Sequence, residues 1–483
     1  MMKRNLLSIL VLVVTVGAMA QQQTVSNYEI KLKIKNTEND TVYLANYLGK
    51  KLYYYDTAYV DSKGVSVFKG KSIPAGVYAV VTKGPKYFEI VVNEPKIELE
   101  TSTDNFTKFM NVKQSAENKI FYEFINVMVD KRGLQTPLSN QLNDSTISEE
   151  KRNELITQIR AIDEEIRVFQ KEFDAKYRSK YFTASLLSIN FETEIPVEID
   201  SANRYWYYRA HFLERVDFND DRFVRSPAFH NKIEKYFTSV LPQIPDTICA
   251  EAQRIINGIK NEKSDTWKYL VHFITNTFEQ SKVMGMDRVL VCMGKTYYCA
   301  DTPSKAYWMP EDKLKEMCDR INVTEKLLLG EKAPNLILQD STEKKWVNLH
   351  KDIKSKWTVL IFWDPNCGHC KKEIPVIQKF YDENKNTYDI SIVAISTELE
   401  NKDWKKYIRE NNLTDWIHIS DNPEIHNNPA KYLGVTTLES LNFRHTYDIY
   451  TTPQIYILDE NKIIKAKKIG AAQLEDLFEK MNR

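Results

Sequence analysis

The sequence predicts a multidomain chain in three folded parts: an N-terminal β-sandwich, a central α-helical domain and a C-terminal α/β domain. Its 483 residues exceed what one ordinary core organises. Up to about Val112, short runs alternate apolar and polar residues. Apolar residues then recur at spacings of three and four as far as Lys326. From Leu327 onward, strand and helix patterns take turns around a Cys-x-x-Cys sequence. The expected domains are residues 21–112, 113–326 and 327–483, preceded by a leader of residues 1–20.

The leader reads as a secretory signal peptide. Lys3 and Arg4 form a basic start, Leu6 to Val16 is apolar apart from Ser8 and Thr15, and Ala18-Met19-Ala20 is a small-x-small cleavage site before Gln21. Its apolar core is short for a membrane span, and no later stretch reaches that length. The expectation is export, to the periplasm of a Gram-negative cell. Lys plus Arg number 67 and Asp plus Glu 66, so no net field draws the chain to nucleic acid or acidic lipid.

In the first folded part, Tyr28, Ile30, Leu32 and Ile34 alternate with Glu29, Lys31, Lys33 and Lys35, giving one buried and one solvated strand face. Further strands are expected at Thr41–Tyr47, Val65–Lys69, Val77–Thr82, Tyr87–Val92 and Ile97–Thr101. Ser62-Lys63-Gly64, Pro74-Ala75-Gly76 and Lys83-Gly84-Pro85 supply turns. The cluster Tyr53-Tyr54-Tyr55 reads as half-buried strand residues.

In the second part, Leu155, Ile159, Ile162, Ile166, Phe169 and Phe173 form a seam that must be covered by other helices or by a second copy of the chain, as in a homodimer. The run from Arg204 to Phe212 is rich in aromatic residues and reads as core packing. Cys249, Cys292, Cys299 and Cys318 lie here, and in an oxidising compartment they read as structural. Which pairs with which stays open. No second Cys-x-x-Cys or His-x-x-x-His accompanies them, so no metal site is expected.

In the third part, Asn335–Gln339 and Trp346–Asn348 read as a hairpin, and Thr358–Trp363 as a buried central strand. A helix follows, with Ile374, Ile377 and Tyr381 on one face. Ile390–Ile395 is the next strand, Asp403–Asn411 a helix, Gln454–Leu458 with Lys462–Lys467 a hairpin, and Gln473–Met481 a terminal helix. Cys367 and Cys370 thus fall between a strand and a helix. A cysteine at a helix N-terminus meets free N–H groups and the positive end of the dipole, and both favour the reactive thiolate.

Gly330-Glu331-Lys332-Ala333-Pro334, the motif from Trp363 to Pro375, and Thr452-Pro453 before a strand occur in order. Together they resemble the TlpA/ResA type of exported thioredoxin-like oxidoreductase. The two preceding parts resemble accessory domains of unassigned function found ahead of such domains. The resemblance implies a thioredoxin-like fold from about Leu327 and an enzyme that exchanges disulfides with protein cysteines, without cofactor or metal. It implies that Cys367 attacks and that Cys370 resolves the mixed disulfide. His369 is expected to tune the thiols, and Glu373 to handle the proton of Cys370. Trp363, Thr452 and a cis Pro453 are expected to bind substrate. Ile361 stands where thioredoxins carry a buried Asp, and Asn366 where they carry Trp.

The family resemblance favours a reductase fed by a membrane thiol carrier, whereas His369 favours oxidation or isomerisation, so the direction stays open. One alternative is a peroxiredoxin-like peroxidase, but Asp364 stands where its hydroxyl partner belongs. The other is a non-enzymatic envelope binding protein with a thioredoxin-like docking domain, since most of the chain lies outside that part.

Overall fold

The computed structural model describes residues 23–84, 86–301 and 303–482. The signal peptide expected over residues 1–20 lies outside them. The chain divides into two compact units, one of the described residues up to Leu241 with Asn257–Tyr269, the other of Pro242–Ile256 with Leu270–Arg483.

The first unit begins with eight strands: β1 (Thr24–Lys35), β2 (Thr41–Leu48), β3 (Lys51–Tyr59), β4 (Val65–Pro74), β5 (Gly76–Val81), β6 (Tyr87–Val92), β7 (Lys96–Ser102) and β8 (Asn111–Gln114). They form two four-stranded sheets, ordered β4-β1-β7-β8 and β3-β2-β5-β6. The alternation in β1 buries Tyr28, Ile30, Leu32 and Ile34, and these share a core with Val42, Leu44, Tyr78 and Val80 of the other sheet. Strand β3 carries the tyrosine cluster, and here the expectation of half-burial fails. Tyr54 is 75% exposed, because β3 is a sheet edge whose residues mostly face outward.

Helices follow: α1 (Ala116–Leu142), α2 (Glu149–Tyr177), α3 (Phe182–Ser188), α4 (Arg204–His211), α5 (Asp221–Val224), α6 (Pro227–Lys235), α7 (Pro245–Asn257), α8 (Asp265–Glu279), α9 (Asp287–Met293) and α10 (Glu311–Lys326). The boundary between the units falls inside this helical region. The seam of α2 buries Phe173 against Ile120, Phe124 and Ala184 of α1 and α3, while Ile159, Ile162 and Ile166 remain half-buried. Of the aromatic run only Phe212 is core, 4% exposed and stacked on Tyr236, while helix α4 buries none of its residues. Its rings satisfy one another instead, Tyr205 edge-on to Trp206 and Tyr207 stacked on His211.

In the second unit the strands are β9 (Ile337–Asp340), β10 (Trp346–Asn348), β11 (Trp357–Trp363), β12 (Ile390–Ser396), β13 (Ile417–Ser420), β14 (Gln454–Leu458) and β15 (Ile464–Lys467). They form one mixed sheet in the order β10-β9-β13-β12-β11-β14-β15. Strands β11, β12 and β13 are parallel, and β14 runs antiparallel to β11. Every residue of β11 is buried. Its alternate side chains enter two cores: Val359, Ile361 and Trp363 on one face, Leu360 and Phe362 on the other. That double burial fixes the end of β11, and with it the first cysteine.

Disulfides join Cys249 to Cys292 and Cys299 to Cys318. The first links α7 to α9, and the second anchors α10. Lys467, 5% exposed on β15, donates to the Leu327 carbonyl at 2.5 Å and pairs with Asp287 of α9, tying helices to sheet. Among the described residues no helix is long and apolar enough to cross a membrane.

Candidate active site

The site forms where β11 ends. Its last residue, Trp363, is followed by a turn in which the Asn366 N–H donates to the Asp364 carboxylate at 2.6 Å and the Cys367 N–H to the Asp364 carbonyl at 3.1 Å. This turn makes Cys367 the N-cap of the helix Gly368–Tyr388. Cys367 is half-buried, whereas Cys370, one turn on, is 0% exposed. Both are free thiols. The Thr452–Pro453 peptide is cis, and the Cys367 Sγ lies 3.3 Å from the Thr452 carbonyl, to which it donates.

The two thiols differ in kind. Burial raises the pKa of Cys367, but it is overcome by hydrogen bonds from the Thr452 side chain, from the Cys370 backbone and thiol, and from the His369 N–H. The net direction is downward, although the bond to the Thr452 carbonyl favours the neutral thiol. Burial pushes Cys370 up to about 12, against a hydrogen bond from the Asp364 backbone. The helix dipole acts on the first sulfur far more than on the second, since it fades within a turn. The surroundings thus favour thiolate at the half-buried sulfur and keep the buried one protonated.

His369 is exposed, and it is its backbone N–H that lowers the Cys367 pKa. Glu373 is half-buried, and its Oε2 accepts from the Ala471 N–H at 2.6 Å. Trp363, read above as contacting substrate, is 0% exposed. Its ring meets Tyr407 edge-on at 5.2 Å and its carbonyl accepts from the Thr397 N–H at 2.9 Å, so it supports the motif from beneath. Ile361 occupies the core where an acid is common in thioredoxins.

Sequence reasoning missed the loop after β12. Burial raises the pKa of Glu398, and the neighbouring Asp364, to which it is hydrogen-bonded, raises it further. Arg444 braces the same loop, donating to the Thr397 carbonyl at 2.7 Å and to Asp421, which is 1% exposed, at 3.1 Å. Burial also raises Tyr407, aided by the nearby Cys370 sulfur. No local pattern marks these residues, because their partners are brought by the sheet.

A half-buried thiol at a helix N-terminus, a buried partner one turn on and a cis-proline beside them now stand together. Residues 329–467 match the family model described as the AhpC/TSA family. This part of the chain is a thioredoxin-like thiol–disulfide oxidoreductase domain related to the ResA and TlpA proteins. Similar proteins include the thiol-disulfide oxidoreductase ResA of Bacillus cereus, 26% identical over 153 residues that make up 32% of this chain and 76% of that protein. The sporulation thiol-disulfide oxidoreductase A of Bacillus subtilis is 27% identical over 149 residues, 30% of this chain and 78% of that protein. Among solved structures, a domain of a possible thiol-disulfide isomerase from Cytophaga hutchinsonii is 35% identical over 32% of this chain and 93% of that one, with a TM-score of 0.27. Residues 28–121 match a domain of unknown function, DUF4369.

Proposed function

We propose that the chain is an exported enzyme of the periplasm that reduces disulfides in client proteins through Cys367 and Cys370. The observation that carries the reading is the unequal pair, Cys367 lowered and half-exposed at the helix N-terminus and Cys370 buried and raised to about 12. The Cys367 thiolate attacks one sulfur of a client disulfide. The client S–S bond breaks, and the leaving sulfur takes a proton. Cys370 then gives up its proton and attacks Cys367, which releases the second client thiol and leaves Cys367–Cys370 as a disulfide. Two electrons have passed to the client, and a membrane thiol carrier restores them.

Glu373, three residues beyond Cys370 in the same helix, is the carboxylate assigned to the Cys370 proton. The spacing of one turn supports this. Thr452 and Pro453 present backbone to the client segment, and His369 sets the potential through Cys367. The reducing direction rests on kinship with ResA-type proteins. The peroxidase alternative lacks the hydroxyl it needs, since the Asp364 carboxylate at that position is bound by the Asn366 N–H.

The test is reduction of insulin disulfides by the full chain with dithiothreitol as electron source. Wild type should be active, Cys367→Ala inert, and Cys370→Ala should accumulate a mixed disulfide with its substrate. In the pH profile of activity, Glu373→Gln should remove an ionisation that wild type shows. Full activity of Cys367→Ala would overturn the assignment.

A further inference from the structure

A cleft of about 600 Å³ lies in the second unit between α10 and the segment that leads into the cis-proline turn. Leu290, Met309, Met317, Ile321 and Val323 give it apolar walls, and Lys313, Glu316 and Arg320 give it a charged rim. Tyr450 stands at its edge, 76% exposed. Only Thr451 separates Tyr450 from Thr452, a chain distance of at most about 7 Å, and the Thr452 carbonyl is 3.3 Å from the Cys367 sulfur. The rim of the cleft at the Tyr450 backbone therefore lies within about 13 Å of the Cys367 sulfur.

Building on the reading of a dithiol that acts on polypeptides, we infer that this cleft holds the client segment flanking the attacked cysteine. The occupant is an extended stretch of polypeptide with apolar side chains next to its cysteine. Three features select it. A rim within about 13 Å of the Cys367 sulfur is reached by residues up to about four along an extended chain from a cysteine engaged there, at about 3.3 Å per residue. Methionine lining accommodates side chains of varied shape, because its unbranched thioether adapts. The exposed Tyr450 ring offers an anchor that is apolar on its face and polar at its tip.

The cleft wall is held in place by the fold. Cys318, between Met317 and Asp319, is tied to Cys299. Arg320 pairs with Glu279 and reaches the buried Asp448 at 3.9 Å, and Lys468 reaches Asp448 from the other side at 3.7 Å. Helix α10, outside the AhpC/TSA match, thereby contributes to client choice without taking part in the chemistry.

The experiment uses the full chain with two substrates, insulin and bis(2-hydroxyethyl) disulfide, the second too small to fill the cleft. The ratio of their kcat/KM values is measured for wild type, Tyr450→Ala and Met317→Ala. Each variant should lower the insulin-to-small-disulfide ratio by about fivefold or more, the loss typical of truncating an anchoring contact. Unchanged ratios in both variants overturn the inference while the proposed function stands. A wild type inert towards both substrates defeats the proposed function and this inference with it. A wild type that sediments as a dimer, with Tyr450→Ala a monomer, assigns the cleft to a second copy of the chain and likewise overturns it.

Discussion

Leaving one thiol at a time separates the two sulfurs of the site cleanly. Cys370→Ala retains Cys367, and Cys367→Ala retains Cys370. At pH 7 a thiol at about 12 is ionised to about 10⁻⁵, whereas Cys367, below its ordinary 9.0, is ionised to more than about 10⁻². The gap exceeds about 10³ in thiolate. The more basic thiolate is the better nucleophile, and a Brønsted slope of about 0.4–0.5 returns a factor of about 15–30 to Cys370. Cys367 still wins by at least about thirtyfold, and the 0% exposure of Cys370 widens the margin. Removing Cys367 lowers Cys370 only slightly, because burial is the largest cause of its raised pKa. Stopped-flow reaction of each variant with a small aromatic disulfide at pH 7 reads the two rates directly. Rates within threefold of each other would refute the claim that the fold ranks the thiols.

Three further outcomes are expected. The reduced protein should lose stability above pH 9: the folded pKa of Cys370 lies above its ordinary 9.0, so its stabilising share is whole below pH 9 and is lost towards about 12. That share is up to about 4 kcal/mol, and denaturant curves in which reduced wild type and Cys370→Ala weaken equally with pH would contradict it. Replacing His369 by Pro deletes the N–H that serves Cys367, so the Cys367 pKa should rise and the reduction potential fall by tens of millivolts, about 30 mV per pKa unit. His369→Ala keeps the N–H and should move less in a glutathione titration, and equal shifts would place the effect in the imidazole. Substituting Cys299 and Cys318 by Ser opens a bridge with a sequence separation of 19 and should cost about 3 kcal/mol. An unchanged melting temperature in that double variant would argue against the bridge.

The parts legible in the sequence are those where one pattern dominates. Strand β11 is apolar throughout because both its faces are buried, and the cysteines follow at once. Strand β3 was invisible because an edge strand with outward tyrosines shows no alternation. Strand β13 was missed inside a stretch that reads as polar. It has four residues, and one of them, His418, is buried in neutral form, pushed down to about 4 by desolvation while its Nε2 bonds the Leu413 carbonyl. Trp363 was legible as a motif residue but not as a buried one. Its burial depends on Tyr407 and Thr397, which arrive from elsewhere in the chain. The Asp364–Glu398 contact was out of reach for the same reason.

The second unit holds sulfur in two opposed conditions. Cys249–Cys292 and Cys299–Cys318 are bonded, while Cys367 and Cys370 are free. Under the proposed function, a dithiol that donates electrons is tethered to two disulfides in the same folded body. Coexistence therefore imposes a rank order: the two bridges must be harder to reduce than the Cys367–Cys370 disulfide, or be out of its reach. During maturation the newly made chain must itself be oxidised at four cysteines. Any catalyst that installs those bonds meets six thiols and has to leave the last two available for turnover. Such a protein is a product of disulfide formation before its own dithiol can act.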